Sequence, residues 1–186
     1  MQDIQSDPDR GGQATTCDCG QCRIALEGAP ILTAECHCAS CRAAAEAFAA
    51  DGHDPRAPTG GTPYVLYRKD RIRLEGAGGL SASRLSPASS TRRVRAGCCG
   101  APMFLEFEKG HWLSLYAARW PDGAAPKMEL RTMCRDRAAE APPLPSDIPN
   151  AKGHTARFMV KLLGAWAAMG FRAPKLDIAE APRPGG

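Results

Sequence analysis

The sequence predicts a mainly β fold, and three observations support this prediction. Short apolar or β-branched runs follow one another from about residue 15 to residue 132, Gly and Pro residues separate them, and only two stretches favour a helix. The chain has 186 residues, of which 44% are apolar, so it is long enough to bury the core of one domain. We therefore expect an antiparallel, all-β body with little helix.

The elements follow in order along the chain. Residues 1–14 show no periodic apolar pattern and predict a loose, flexible tail. An alanine-rich stretch at 41–50, followed by Gly52, predicts one helix within the β body. Four prolines predict a semi-rigid connector at 138–153. The body spans residues 15–137, and its predicted strands are 23–26, 31–36, 64–68, 72–75, 91–96, 104–108, 112–117 and 128–131.

A C-terminal amphipathic helix is predicted within residues 154–172, with Thr155 as its N-cap and Gly170 as its stop, before a tail at 173–186. An apolar face of this kind must be covered, so it packs on the β body or contacts a second copy in a homodimer. The face consists of Phe158, Met159, Leu162, Leu163, Trp166 and Met169.

Charge and hydropathy exclude several classes of protein. The net charge of +4 is too small for a dedicated nucleic-acid binder, so no nucleic-acid partner is expected. No apolar run reaches the roughly 18 residues of a membrane span, and the first residues lack the apolar core of a signal peptide. Nine cysteines in such a chain predict a cytoplasmic protein that uses them for metal ligation or redox chemistry rather than disulfides.

Eight of the nine cysteines fall into three groups, and this grouping predicts bound metal. Cys-x-Cys-x-x-Cys occurs at 17–22 and again at 36–41, and Cys98-Cys99 precedes Gly100. Zinc takes four ligands in a tetrahedron, so short spacings place several sulfurs around one ion where the backbone turns, as Gly20 and Gly100 permit. Thiolates held together without a cation would repel one another. Ordinary buried thiols and a thioredoxin-like redox motif are the alternatives, and the β-rich context does not match the latter.

Three motifs together resemble the glutathione-dependent formaldehyde-activating family, which includes the centromere-protein-V-like domains. They are Cys17-Asp18-Cys19-Gly20, then Cys36-His37-Cys38-x-x-Cys41-Arg42, then Cys99-Gly100 before a short apolar strand. The resemblance covers roughly residues 15–120. It implies a β-tent fold with two zinc ions and a carbon–sulfur lyase activity on a thiol adduct such as S-hydroxymethylglutathione.

The resemblance also implies the metal ligands. Cys17, Cys19 and Cys99 would hold a structural ion, and Cys36, Cys38 and Cys41 would hold a second ion whose vacant fourth position receives the substrate. Ala96 stands where the family has a further cysteine. Cys98 is therefore the first candidate for the fourth structural ligand, Cys22 is the second, and loss of this ion is the third alternative.

Two functions are consistent with these motifs. The first is an enzyme that acts on a small thiol such as glutathione, although Ala43 and Glu46 replace the Lys and Gly that often follow the family's second motif. The second is a non-catalytic module in which both ions are structural and the surface binds a protein partner.

The remaining candidates are assigned structural roles. His37 should point away from the ion, because alternate side chains of an extended segment face opposite sides. Cys134 is predicted to be a free thiol, and Arg92, Arg93 and Arg95 to form a solvated strand face, with an anion site for the substrate's carboxylate as the alternative. Surface or hydrogen-bonded core positions are expected for His53, His111 and His154.

Overall fold

The computed structural model describes residues 13–76, 78–121 and 124–181, which contain eleven strands and two α-helices. The predicted mainly β fold with a C-terminal helix is confirmed. The helices are α1 (Ala39–Ala50) and α2 (Ala156–Ala168), and the strands are β1 (Gln13–Thr16), β2 (Arg23–Leu26), β3 (Leu32–Cys36), β4 (Thr62–Arg68), β5 (Ile72–Glu75), β6 (Leu80–Ser83), β7 (Thr91–Ala96), β8 (Pro102–Phe107), β9 (Trp112–Tyr116), β10 (Leu130–Thr132) and β11 (Ala179–Glu180).

The strands form two sheets. One has three strands in the order β1-β2-β5, and the other has eight in the order β10-β3-β4-β9-β8-β7-β6-β11. Most pairs are antiparallel, as predicted, but β10 pairs with β3 and β11 with β6 in parallel, so one parallel strand lies at each edge of the large sheet. The sequence pattern does not predict strands β1, β6 and β11, because these short segments consist mainly of small and polar residues and contain no run of large apolar side chains.

Both faces of the large sheet are covered, which explains the continuous apolar run in β4. Val65 and Tyr67 pack in one core cluster with the three-stranded sheet, whereas Tyr64 and Leu66 pack in a second cluster with both helices. Successive side chains of a strand point to opposite faces, so a strand covered on both sides lacks the usual polar alternation. Cys17 and Cys99 pack in the first cluster, whereas Cys36, Cys38 and Cys41 pack in the second.

Helix α2 begins where the sequence predicts, with Thr155 Oγ1 accepting a hydrogen bond from the Phe158 amide at 3.1 Å. Phe158 and Leu162 are buried in the second cluster, as expected for a helix that packs on its own body. Met159 and Leu163 remain exposed, because only one half of the apolar face meets the sheet. A homodimer through the uncovered half stays a prediction.

The Pro-rich connector runs beside β10. Arg131 donates to Asp147 Oδ1 at 2.8 Å, and the amide of Ala151 donates to the carbonyl of Arg131 at 2.8 Å. Of the two predicted tails, residues 1–12 and 182–186 lie outside the described residues. Neither described helix combines the length and apolar character needed to cross a membrane.

Candidate metal centres and substrate pocket

Four sulfurs form the first cysteine group. The Sγ atoms of Cys17, Cys19, Cys98 and Cys99 lie within 4.8 Å of one another. Cys17 and Cys98 are 3.6 Å apart, and Cys19 and Cys98 are 3.2 Å apart. Zinc–sulfur bonds of ~2.3 Å place the corners of a tetrahedron about 3.8 Å apart, so this donor set fits a four-coordinate zinc ion.

Two tight turns bring these sulfurs together. Gly20 and Gly100 have φ values of +75° and +76°, in the left-handed region that residues with a Cβ rarely adopt. The Gly100 amide donates to the carbonyl of Ala96 at 2.9 Å, so Cys98 and Cys99 lie in a turn rather than an extended strand. This is why two adjacent cysteines can both direct their sulfurs to one point.

The geometry places Cys98, rather than Cys22, in this group. Cys22 is only 4% exposed, and its thiol donates to the carbonyl of Gly79 at 3.0 Å. Its sulfur is 3.8 Å from that of Cys98 but does not lie within 4.8 Å of the whole group. Cys98 is therefore the better placed fourth donor. Ala96, which stands where the family has a further cysteine, is buried in the core.

His53 lies next to this group, a position that no sequence spacing signals. Its Nδ1 is 2.8 Å from Asp18 Oδ2, and its Nε2 is 2.9 Å from the carbonyl of Cys99. Asp18 also contacts Arg119. These contacts join the turn that carries Cys17 and Cys19 to the turn that carries Cys99.

The second group has three sulfurs. Cys36 ends β3, Cys38 caps α1 and Cys41 lies in its first turn, and their Sγ atoms lie within 4.8 Å of one another. Among the described residues, no fourth His, Cys, Asp or Glu joins them. His37 points away, as predicted, and its Nε2 lies 2.9 Å from Glu35 Oε1. We call Cys36, Cys38 and Cys41 the triad.

The local hydrogen bonds favour one thiolate in the triad. Donation from the thiols of Cys36 and Cys41 lowers the pKa of Cys38 to about 2, against the opposing effect of burial. The same interaction with Cys38 raises the pKa of Cys36, because Cys36 keeps the shared proton. The amide of Cys41 donates to Cys38 Sγ at 3.3 Å, and the positive end of α1 favours negative charge there.

The first group has a similar arrangement. Burial opposes ionisation of Cys17, but donation from the amide of Cys22 and from neighbouring thiols outweighs it and lowers the pKa of Cys17 to about 6. The amide contact measures 3.2 Å. The pKa values of Cys19, Cys98, Cys36 and Cys41 are raised, mainly because these thiols donate to neighbouring sulfurs or are desolvated. A divalent cation would replace the thiol protons and turn every sulfur into a ligand.

A cavity of about 410 Å³ opens onto the triad. Its small polar groups include Ser40, Thr132 and His154. Thr132 uses its single hydroxyl proton to donate to Gly153 at 3.0 Å, so His154 Nδ1, 3.2 Å from Thr132 Oγ1, is the donor in that contact. The Nε2 of His154 is then an acceptor that no hydrogen bond within the described residues occupies. Sequence reasoning missed this residue because more than a hundred positions separate it from the triad.

The three arginines of β7 do not form a solvated face. Arg92 and Arg93 are buried, which corrects the prediction. Arg92 Nε donates to Glu106 at 3.0 Å, and Arg93 Nη2 donates to Ser40 Oγ at 2.7 Å. Arg95 lies over the ring of Phe48. These arginines bind groups of the protein itself, because β7 lies between β8 and β6 in the large sheet.

The family model described as glutathione-dependent formaldehyde-activating enzyme matches residues 13–133, about two thirds of the chain. The chain belongs to this family. The matched region contains both cysteine groups and ends before α2. A crystal structure of a Rhodobacter sphaeroides protein, a structural genomics target, is 17% identical, with a TM-score of 0.43 over 74% of this chain and 99% of that chain. No curated protein matches significantly.

Proposed function

We propose that this protein catalyses the reversible formation of a carbon–sulfur bond between a thiol and a carbonyl compound, with the triad as the metal-binding centre. The product of such an addition to formaldehyde is an S-hydroxymethyl thiol, and S-hydroxymethylglutathione is the example that the family description suggests. Zinc is the metal that the all-sulfur donor set favours.

One observation carries this proposal. The first group offers four sulfurs, but the triad offers three and faces a cavity of about 410 Å³. A tetrahedral ion with four protein ligands is closed, whereas one with three keeps a position for an exogenous ligand. The contrast between the two groups within one chain supports a structural role for the first and a chemical role for the second.

The reaction balances without an oxidant or reductant. The thiol sulfur forms a bond to the carbonyl carbon, the π bond of the carbonyl breaks, and the thiol proton ends on the oxygen. A zinc ion held by the triad would lower the pKa of a thiol in its fourth position, so that the thiolate is available near neutral pH. The reverse reaction cleaves the same carbon–sulfur bond.

His154 is our candidate for moving the proton. It lines the cavity, its Nδ1 is engaged by Thr132, and no partner in the described part of the chain occupies its Nε2. Partial desolvation also lowers the pKa of His154, so the ring is neutral at pH 7 and able to act as a base. Substitution of His154 by Gln should lower kcat about a hundredfold with a smaller change in KM.

The experiment compares thiol binding at the two groups. Cobalt is substituted for zinc in the full chain, and the visible absorption of the wild type and of Cys38→Ser is recorded during thiol titration. We expect the thiol to change the wild-type spectrum and to leave that of Cys38→Ser unchanged, because only the triad has a position to fill. Exchange between formaldehyde and the thiol adduct, followed by NMR, should then require Cys38.

The alternative function is a non-catalytic zinc module. If no thiol perturbs the wild-type cobalt spectrum and no exchange is catalysed, both ions are structural and the enzyme proposal is wrong. The half-exposed apolar face of α2 would then be the surface to examine for a protein partner. A reducing cytoplasm is the compartment that suits either function, because every cysteine in the structure is a free thiol.

A further inference from the structure

The cavity at the triad has apolar walls. Within the described part of the chain, no Lys, Arg, Asp or Glu is among the residues that line it. Its polar groups include the triad, several hydroxyl side chains and His154. The apolar walls consist mainly of Leu66, Leu105, Phe107, Trp112, Phe158 and Met159.

Two elements form these walls. The strands of the large sheet contribute one wall, which includes Leu105 and Trp112, and helix α2 contributes the other, which includes Phe158 and Met159. Residues 13–133 match the family model, so α2 and the segment that precedes it lie beyond the matched region. The second wall is therefore an addition that belongs to this chain rather than to the region that defines the family.

The helix is held firmly enough to act as a wall. Phe158 and Leu162 are buried against the sheet, and His111 Nε2 donates to the carbonyl of Leu162 at 2.9 Å. Lys161 also pairs with Glu129, in the segment that leads into β10. His111 directly precedes β9 and Glu129 directly precedes β10, so two different strand ends hold the helix.

An apolar wall affects which thiols can bind. Glutathione carries two carboxylates and an ammonium group, and burying ionised groups without partners of opposite charge is unfavourable. An alkyl or aryl substituent gains binding free energy from the same surface. Arg93, which donates to Ser40 at the start of α1, is itself buried and does not line the cavity.

We propose that α2 forms a specificity wall, so that the pocket selects thiol adducts whose sulfur carries an uncharged, apolar substituent over adducts of glutathione. This inference rests on the proposed function, since it assumes that a thiol reaches the triad. The preferred substrates would then be adducts of apolar thiols rather than adducts of glutathione.

The first test compares two thiols on the cobalt-substituted full chain. Phenylmethanethiol and glutathione are titrated separately, and the spectral change that Cys38→Ser abolishes reports binding at the triad. We expect phenylmethanethiol to bind at least about tenfold more tightly. If both thiols bind and glutathione binds equally or better, the specificity inference is wrong while the proposed function stands. If neither thiol changes the spectrum, the proposed function is wrong and this inference falls with it.

The second test uses two neighbouring positions on α2. Met159 and Val160 are 53% and 66% exposed, so both tolerate a charged side chain, but only Met159 lines the cavity. Met159→Lys should reduce the preference for phenylmethanethiol over glutathione about tenfold, because it introduces a cation beside the substituent. Val160→Lys should leave the preference unchanged, and circular dichroism verifies that both variants fold. Equal effects of the two variants would overturn the assignment of α2 as the wall.

Discussion

Glu106 lies between two buried cations, and its replacement by Gln should be strongly destabilising. Its Oε1 accepts from Lys69 Nζ at 2.6 Å, and its Oε2 accepts from Arg92 Nε at 3.0 Å. The side chains of Lys69 and Glu106 are 0% and 2% exposed. Glutamine has nearly the same shape but no charge, and its NH₂ group cannot accept from either cation.

The size of the stability loss in Glu106→Gln follows from the burial of the ion pairs. Removing one partner of a buried ion pair costs about 3–5 kcal/mol, because the remaining charge is left without compensation. Glu108 is the matched control, since it pairs with Arg84 at 2.7 Å with a side chain that is 44% exposed. An exposed pair contributes only about 0–1 kcal/mol, so Glu108→Gln should have little effect.

Thermal unfolding followed by circular dichroism distinguishes the two variants. For a chain of this length each kcal/mol shifts Tm by about 2–4 °C, so Glu106→Gln should lower Tm by about 6–20 °C and Glu108→Gln by at most about 4 °C. Equal shifts in the two variants would show that burial does not control the contribution of these ion pairs, and the reasoning would be wrong.

Two further predictions concern the metal groups and the docking of α2. Cys17→Ser should unfold the domain, because structural zinc can contribute ~10–16 kcal/mol to a small fold, whereas Cys38→Ser should keep the fold and lose activity. Circular dichroism measures folding, and an exchange assay measures activity. Equal unfolding of both variants would indicate two structural sites. Burial lowers the pKa of His111 below 6.5, so the unfolded chain binds the proton first. The free energy of unfolding therefore falls as pH decreases below that value, by at most about 1.4 kcal/mol per pH unit. Urea unfolding between pH 7.5 and 5.5 should show a steeper pH dependence for the wild type than for His111→Gln, and identical slopes would contradict the prediction.

Several features of the fold can be predicted from local sequence. Strand β2 has its predicted bounds, and helix α2 begins after its predicted N-cap Thr155, because an apolar pattern and a capping threonine are properties of neighbouring residues. The turns at Gly20 and Gly100 are predictable for the same reason. Pairing of β10 with β3 cannot be predicted, because nothing in three residues specifies a partner almost a hundred positions away.

The candidate site also contains residues that local sequence predicts and residues that only tertiary packing places. Cys36, Cys38 and Cys41 are close in sequence, and a strand end followed by a helix start brings them together locally. Sequence reasoning misses the polar neighbours: His154 reaches the cavity only because α2 docks on the sheet, and His53 reaches the first group through the turn at Cys99. It also misassigns the three arginines of β7, because burial of a strand depends on what covers it.

The sequence by itself determined the three local cysteine clusters and the resemblance to the family, since short spacings and tight turns are recorded in a local pattern. Only the tertiary structure decided that Cys98 and Cys99 meet Cys17 and Cys19, and that α2 closes an apolar pocket over the triad. The physical reason is that a hydrophobic face indicates that a segment is buried but not against which partner. Long-range packing selects that partner, and with it the wall that Phe158 and Met159 present to the cavity.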